Sequence, residues 1–308
     1  MWQFPGVSFE GPKFKVEKKM KPNLPEEVQN EFEGGLSTGG IQLPMKVPYL
    51  WVKNGEVARK KDGGALYFGG WAVNMEEMDS ICGEFKRGLP FGLKEIAVIP
   101  SADSSDKEIE LNLYVSRAIL FAPLAMRESS ILKDGTRVVA FSRGGRPHTQ
   151  VLGLLAQVDK DASVWGYAVL SAKGYQAGNV MDSIRKAQSA IKAACKKTEG
   201  FGLAPSNAFW MQLGTFSTKR EAIKVGGGDS QSEITPIGVL LPEAINAEWL
   251  EKHYIGDDNV LQARDVMKTC REWLDAWKAD NIGKVGVPRN LPEEPPDGIE
   301  ERDSDIPF

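Results

Sequence analysis

Val164-Trp165-Gly166-Tyr167-Ala168-Val169-Leu170-Ser171-Ala172-Lys173-Gly174-Tyr175 alternates bulky and small residues, the signature of a β-strand. Successive side chains on a strand point to opposite faces, so Trp165, Tyr167, Lys173 and Tyr175 fall on one side, with Gly166, Ala168 and Ala172 opposite. Similar short runs rich in Val, Ile and aromatics, separated by Gly, Asp and Asn clusters, predict strands near 46–53, 65–73, 93–100, 109–121, 137–143, 150–158 and 164–172. Lys53-Asn54-Gly55-Glu56 reads as a hairpin turn, because Asn-Gly supplies the positive φ that a two-residue loop needs. Many strands at short spacing favour a barrel or sandwich, and no strand-helix-strand alternation points to a doubly wound sheet.

Residues 179–198 change to helical spacing, with Val180, Ile184, Ala187, Ile191 and Ala194 on one stripe and Asn179 with Asp182 as an N-terminal cap. The opposite face carries Arg185, Lys186, Lys192, Lys196 and Lys197, which reads first as a solvated surface. More β-like sequence follows at 208–216 and 234–241, then a second helix at about 258–280 through Val260, Ala263, Met267, Cys270, Leu274 and Trp277. The fold class expected is therefore mainly β with added helices (α+β). Its parts are an N-terminal arm (1–44), a β-barrel core (45–245) with the helix 179–198 inserted, a C-terminal helical segment (246–290) and a disordered acidic tail (291–308). The arm mixes Trp2, Phe4, Phe9 and Phe14 with the basic run 13–21, and packing on the body is the favoured reading.

At 308 residues and 42% hydrophobic content the chain can bury a sizeable core. No run approaches the roughly 18 apolar residues needed to span a bilayer, and the start lacks a basic-then-apolar signal, so a cytoplasmic, soluble protein is expected. Cys82, Cys195 and Cys270 are odd in number and widely spaced, which favours structural thiols over disulfides or a metal site. His148 and His253 lack metal-ligand spacing, and no nucleophile elbow or His-Glu-x-x-His helix is present. The expectation is a protein that is not an enzyme and needs no cofactor or metal.

Binding chemistry would come from aromatics beside bases, because single-stranded nucleic acid is held by stacking on rings and by cations along its phosphates. Three segments have that layout: Trp165, Tyr167, Lys173 and Tyr175; Tyr67 and Trp71 around Gly69; and Trp210, Gln212 and Phe216 near Lys219 and Arg220. For any one ring a place in the core is the favoured reading, but across three segments some exposed rings are expected. Phe141-Ser142-Arg143-Gly144-Gly145-Arg146-Pro147-His148 is the best phosphate-contact candidate, since Arg143 and Arg146 flank a Gly-Gly turn that lets backbone amides approach a ligand. Gly226-Gly227-Gly228 lacks the Lys-Ser or Lys-Thr of a P-loop and reads as a connection.

The chain ends in Asp303-Ser304-Asp305-Ile306-Pro307-Phe308, an acidic stretch with an apolar tip. A basic pocket would hold the carboxylates while an apolar socket takes Phe308. Residues 291–302 are rich in Pro and Glu and would stay extended. Residues 291–308 contain seven acids and one base, and removing them from the 42 acids and 38 bases leaves 35 and 37. A mildly basic body thus carries an acidic tail, and the net charge of −4 does not exclude nucleic acid as a ligand. The tip closely resembles that of bacterial and phage single-stranded DNA-binding proteins, which typically ends Asp-Asp-Asp-Ile-Pro-Phe; only Ser304 departs from that wording.

The resemblance implies an elaborated OB-type β-barrel that coats and protects single-stranded DNA in replication, recombination and repair. It also implies recruitment of partner proteins through Asp303, Asp305, Ile306, Pro307 and Phe308. A homo-oligomer encoded by a phage or mobile element, working in a bacterial cytoplasm without a membrane partner, is expected. The alternatives are a recombination mediator or strand-annealing protein, an enzyme of nucleic-acid metabolism, or an adaptor that competes for tip-binding pockets.

Overall fold

The computed structural model describes residues 45–59, 65–90, 93–98, 111–132, 136–138, 145–157, 163–215, 223–225 and 232–275. The arm and the acidic tail lie outside the described residues. The strands are β1 (Tyr49–Arg59), β2 (Ala65–Asn74), β3 (Lys94–Val98), β4 (Leu111–Ser116), β5 (Ala118–Ile131), β6 (Arg137–Val138), β7 (Arg146–Ala156), β8 (Val164–Lys173), β9 (Met211–Thr215), β10 (Ile223–Val225), β11 (Ser232–Ile234) and β12 (Ile237–Leu240). The helices are α1 (Met75–Glu84), α2 (Tyr175–Lys197), α3 (Ala247–His253), α4 (Asp257–Thr269) and α5 (Arg271–Asp275).

Ten of these strands form one sheet in the order β12-β9-β5-β7-β8-β1-β2-β4-β3, with β6 beside β5, while β10 and β11 pair separately. Its pairings are antiparallel except for β1 with β8, where Tyr49, Leu50 and Trp51 lie opposite Val169, Leu170 and Ser171. Arg117 alone separates β4 from β5. The ladder therefore leaves β5, passes through β7, β8, β1 and β2, and returns to β4 one residue upstream of its start. The sheet curls into a barrel-like form as a result.

The bend at Arg117 is where backbones crowd. A Cβ at Gly70 of β2 would strike the Ser116 carbonyl oxygen, and one at Gly214 of β9 would strike that of Arg117. Only glycine permits this approach from two strands to one corner. Trp71 reinforces it, its indole Nε1 donating to the Leu213 carbonyl across the curl at 3.1 Å.

Both faces of the central strands are covered. One face, with Leu50, Met126, Val151 and Leu170, belongs to the main core, which also takes Val180, Ile184, Ala187 and Ile191 from α2 and Leu250, Val260 and Ala263 from α3 and α4. The other face, with Val47, Ala125, Leu152 and Val169, packs on Cys270, Trp273 and Leu274 from α4's end and α5. Within the C-terminal helical segment, Leu250, Val260, Ala263, Cys270, Trp273 and Leu274 pack on the sheet.

Four local expectations are corrected. Asn54-Gly55 makes no hairpin turn: β1 runs straight through it, and the register slips between Lys53, opposite Gly70, and Glu56, opposite Phe68. The Asn-Gly pair sits instead at an irregularity within a strand. Helix α1 interrupts the stretch expected to be mostly β, capped by Asn74 Oδ1, which accepts from the Glu76 amide at 2.8 Å, and buried through Met78 and Ile81. Helix α2 begins at Tyr175 behind Gly174 rather than at residue 179. The second helix breaks at Cys270, whose φ of −85° and ψ of 7° end α4 before α5 starts. Among the described residues no helix is long and apolar enough to cross a membrane.

Candidate nucleic-acid interface

The turn from β8 into α2 gathers the richest combination of cations and an exposed ring. β7 and β8 run antiparallel with His148 opposite Lys173, so the first residues of β7 meet the last of β8. Gly174, at φ +57°, turns the chain, and its amide donates to the Pro147 carbonyl at 2.7 Å. A Cβ there would lie 3.3 Å from Arg146 Nε, so the glycine leaves room for that guanidinium. Tyr175 follows as the first residue of α2, with 45% of its surface exposed.

His148 lies buried beneath this surface. Its Nδ1 faces Arg137 Nη1 at 3.0 Å and its Nε2 faces Ser171 Oγ at 2.9 Å. Arg137 Nη1 also donates to Ser129 Oγ at 2.8 Å. Burial, and then the charges of Arg137, Lys173, Arg127 and Arg146, hold the imidazole well below its ordinary pKa. It is therefore neutral. A guanidinium can only donate, so the network assigns Nδ1 as acceptor and leaves the proton on Nε2, which donates to Ser171. The charges of four cationic side chains from β5 to β8 thus bear on the buried His148 ring.

Arg127 belongs to the support of this surface. It is buried, with Nε 2.8 Å from Gln150 Oε1, Nη1 2.9 Å from the Trp273 carbonyl, and its guanidinium carbon 3.6 Å from the centre of the Trp273 ring. The next residue, Glu128, pairs with Arg185 of α2 at 2.5 Å. That link ties the strand to the helix.

Of the residues expected to bind, Arg146, Lys173 and Tyr175 come together here. Trp71, Trp165 and Trp210 are buried in the main core, and a covered ring offers no face to a base, so they leave the candidate interface. Tyr167 is partly buried between the two clusters, with its hydroxyl pushed up to about 12 by burial and then by Cys270 and Asp265. The backbone of Tyr67 pairs with Val57. Phe141, Arg143, Lys219, Arg220, Asp303, Asp305, Ile306, Pro307 and Phe308 lie outside the described residues. The contribution of Arg137, His148 and Ser171 escapes sequence reading because it depends on cross-strand register, although Lys173 alternating with Ser171 was a partial sign.

No family model, curated protein or solved structure matches the chain. Its own chemistry must carry the reading. The three cysteines are free thiols, with Cys195 pushed up to about 12 and Cys270 to about 11 by burial, so both stay protonated at neutral pH. Among the described residues no group of three or more His, Cys, Asp or Glu side chains is arranged to hold a metal ion.

Proposed function

We propose that this protein binds single-stranded DNA through the Arg137–Arg146–Lys173–Tyr175 surface and recruits partner proteins through residues 303–308. The convergence of these cations beside an exposed ring carries the reading: phosphates take the guanidinium and ammonium groups, and a base stacks on Tyr175. The ladder supports an OB-type reading. The sheet curls so that a bent segment, β4–β5, pairs at one end with β2 and at the other with β7, and one pair, β1 with β8, is parallel. The chain order of the strands differs from that of the usual OB meander, so the resemblance is one of spatial arrangement. In mechanism, the body sequesters the strand with little sequence preference, since the surface offers stacking and charge rather than a pattern of base-edge partners.

Fluorescence anisotropy of labelled oligo(dT) at two salt concentrations tests this with the intact chain and a chain ending at Asn290. Tight, salt-sensitive binding that survives removal of the tail is expected. Arg146→Ala should weaken binding and reduce the salt slope by about one, while Tyr175→Ala should cost about 1–3 kcal/mol of affinity. Absence of binding by both forms overturns the reading.

A further inference from the structure

Among the described aromatic residues only Tyr175 and Phe85 are largely exposed, and Phe85 stands in a second cationic setting. Helix α1 ends at Glu84, and the amides of Lys86 and Arg87 turn back to the Gly83 and Cys82 carbonyls at 3.3 and 3.0 Å. This closing turn usually has glycine at its left-handed position, but here Lys86 occupies it at φ +49°. Among the described residues Lys86 is the only non-glycine with positive φ, and it makes no ion pair there. A lysine in a conformation that suits glycine better raises the question of what its side chain does.

Arg87 holds the turn rigid. Its guanidinium donates to the Trp165 carbonyl, fills the space that Gly166 leaves open, and lies 4.6 Å from the centre of the Phe85 ring and 5.0 Å from that of Trp165. Trp165 Nε1 in turn donates to the Gly88 carbonyl at 2.6 Å. Phe85 is thus backed on one face by a fixed cation, while 45% of its surface stays open to solvent. The neighbouring Glu84 is neutralised by Lys46 at 3.1 Å.

We propose that the Phe85-Lys86-Arg87 turn is a second contact for the same nucleic-acid strand, resting on the reading above. An unpaired base stacks on the open face of Phe85, and Lys86 takes an adjoining phosphate. Trp165 marks one end of β8 and Lys173 the other, so the two contacts are separated by about eight strand residues, roughly 26 Å. β8 itself is largely buried, so a strand engaging both would cross that distance over the outer surface.

The test combines oligo(dT) affinity with crosslinking of an oligonucleotide carrying 5-iodouracil, read by peptide mass spectrometry. Phe85→Ala is expected to weaken binding at least about fivefold. Lys86→Gly should weaken it and lower the salt slope by about one, while urea unfolding stays equal to or above that of the parent, because glycine is at ease at this φ. Crosslinks should appear in the peptide containing Phe85. A parent protein that binds oligo(dT) while both variants bind equally well and crosslinks fall elsewhere leaves the turn as a helix stop and overturns this inference alone. A parent that binds no oligo(dT) overturns both readings together.

Discussion

His148 and His253 are both held neutral by the fold, and that sets the direction of its pH response. His253 stacks on Trp249 with ring centres 4.1 Å apart and Nδ1 2.8 Å from the Trp249 carbonyl; burial lowers it to about 4. Above the unfolded value of about 6.5, neither state binds a proton at these rings and their full contribution is present. As pH falls below 6.5 the unfolded chain takes up protons that the folded chain refuses, so stability drops until the folded pKa is reached. Glu77 and Glu128 are raised by burial and act in the opposite sense, so a variant is needed to isolate the imidazole. Urea midpoints should fall between pH 7 and pH 4, and His253→Gln should flatten part of that fall, on the order of 2 kcal/mol. An unchanged pH profile in the variant contradicts the assignment. At this scale the sequence singles out Lys173 and Tyr175 as a base beside a ring and Arg146 as part of a Gly-Gly turn with two guanidinium groups, but alternation cannot say which face meets solvent. Trp165 lies where the β7–β8 register slips and is covered in the main core beside Arg87 and Gly88.

Strands were read from their β-branched and aromatic runs because those residues fill a pleated, buried surface, and β2, β7 and β8 fall close to their expected places. Helix α1 was hidden by its length, only ten residues between strands, although Asn74 followed by Glu77 carries a cap signal. The run expected at 109–121 is two elements because Arg117 turns the chain, and its partners there come from distant sequence. The tight approach at that corner predicts that Gly70→Ala and Gly214→Ala each destabilise the protein by about 1–3 kcal/mol in urea unfolding. Gly178→Ala, on α2 where a Cβ would meet no atom within 4 Å, should be neutral or stabilising. Equal effects at all three sites would mean that the corner is not crowded.

Pairing across the whole molecule joins strands far apart in the chain, so the curled ladder has no signature in any local window. β7 and β8 sit at its centre, each with a strand on both sides, whereas β3 and β6 have one strand neighbour each among the described residues. Native-state hydrogen exchange should therefore be slowest in β7 and β8 and fastest in β3 and β6. Comparable protection throughout would contradict this ranking. The parallel seam has a further consequence during synthesis. β1 and β2 leave the ribosome first, yet Leu50 waits for Leu170, made more than a hundred residues later. The growing chain carries an unpaired strand edge while more than a hundred further residues are made, and such an edge is open to neighbouring nascent chains. A chaperone holding residues 49–74 until β8 is made should therefore raise the yield of folded protein, and slowed elongation without one should lower it.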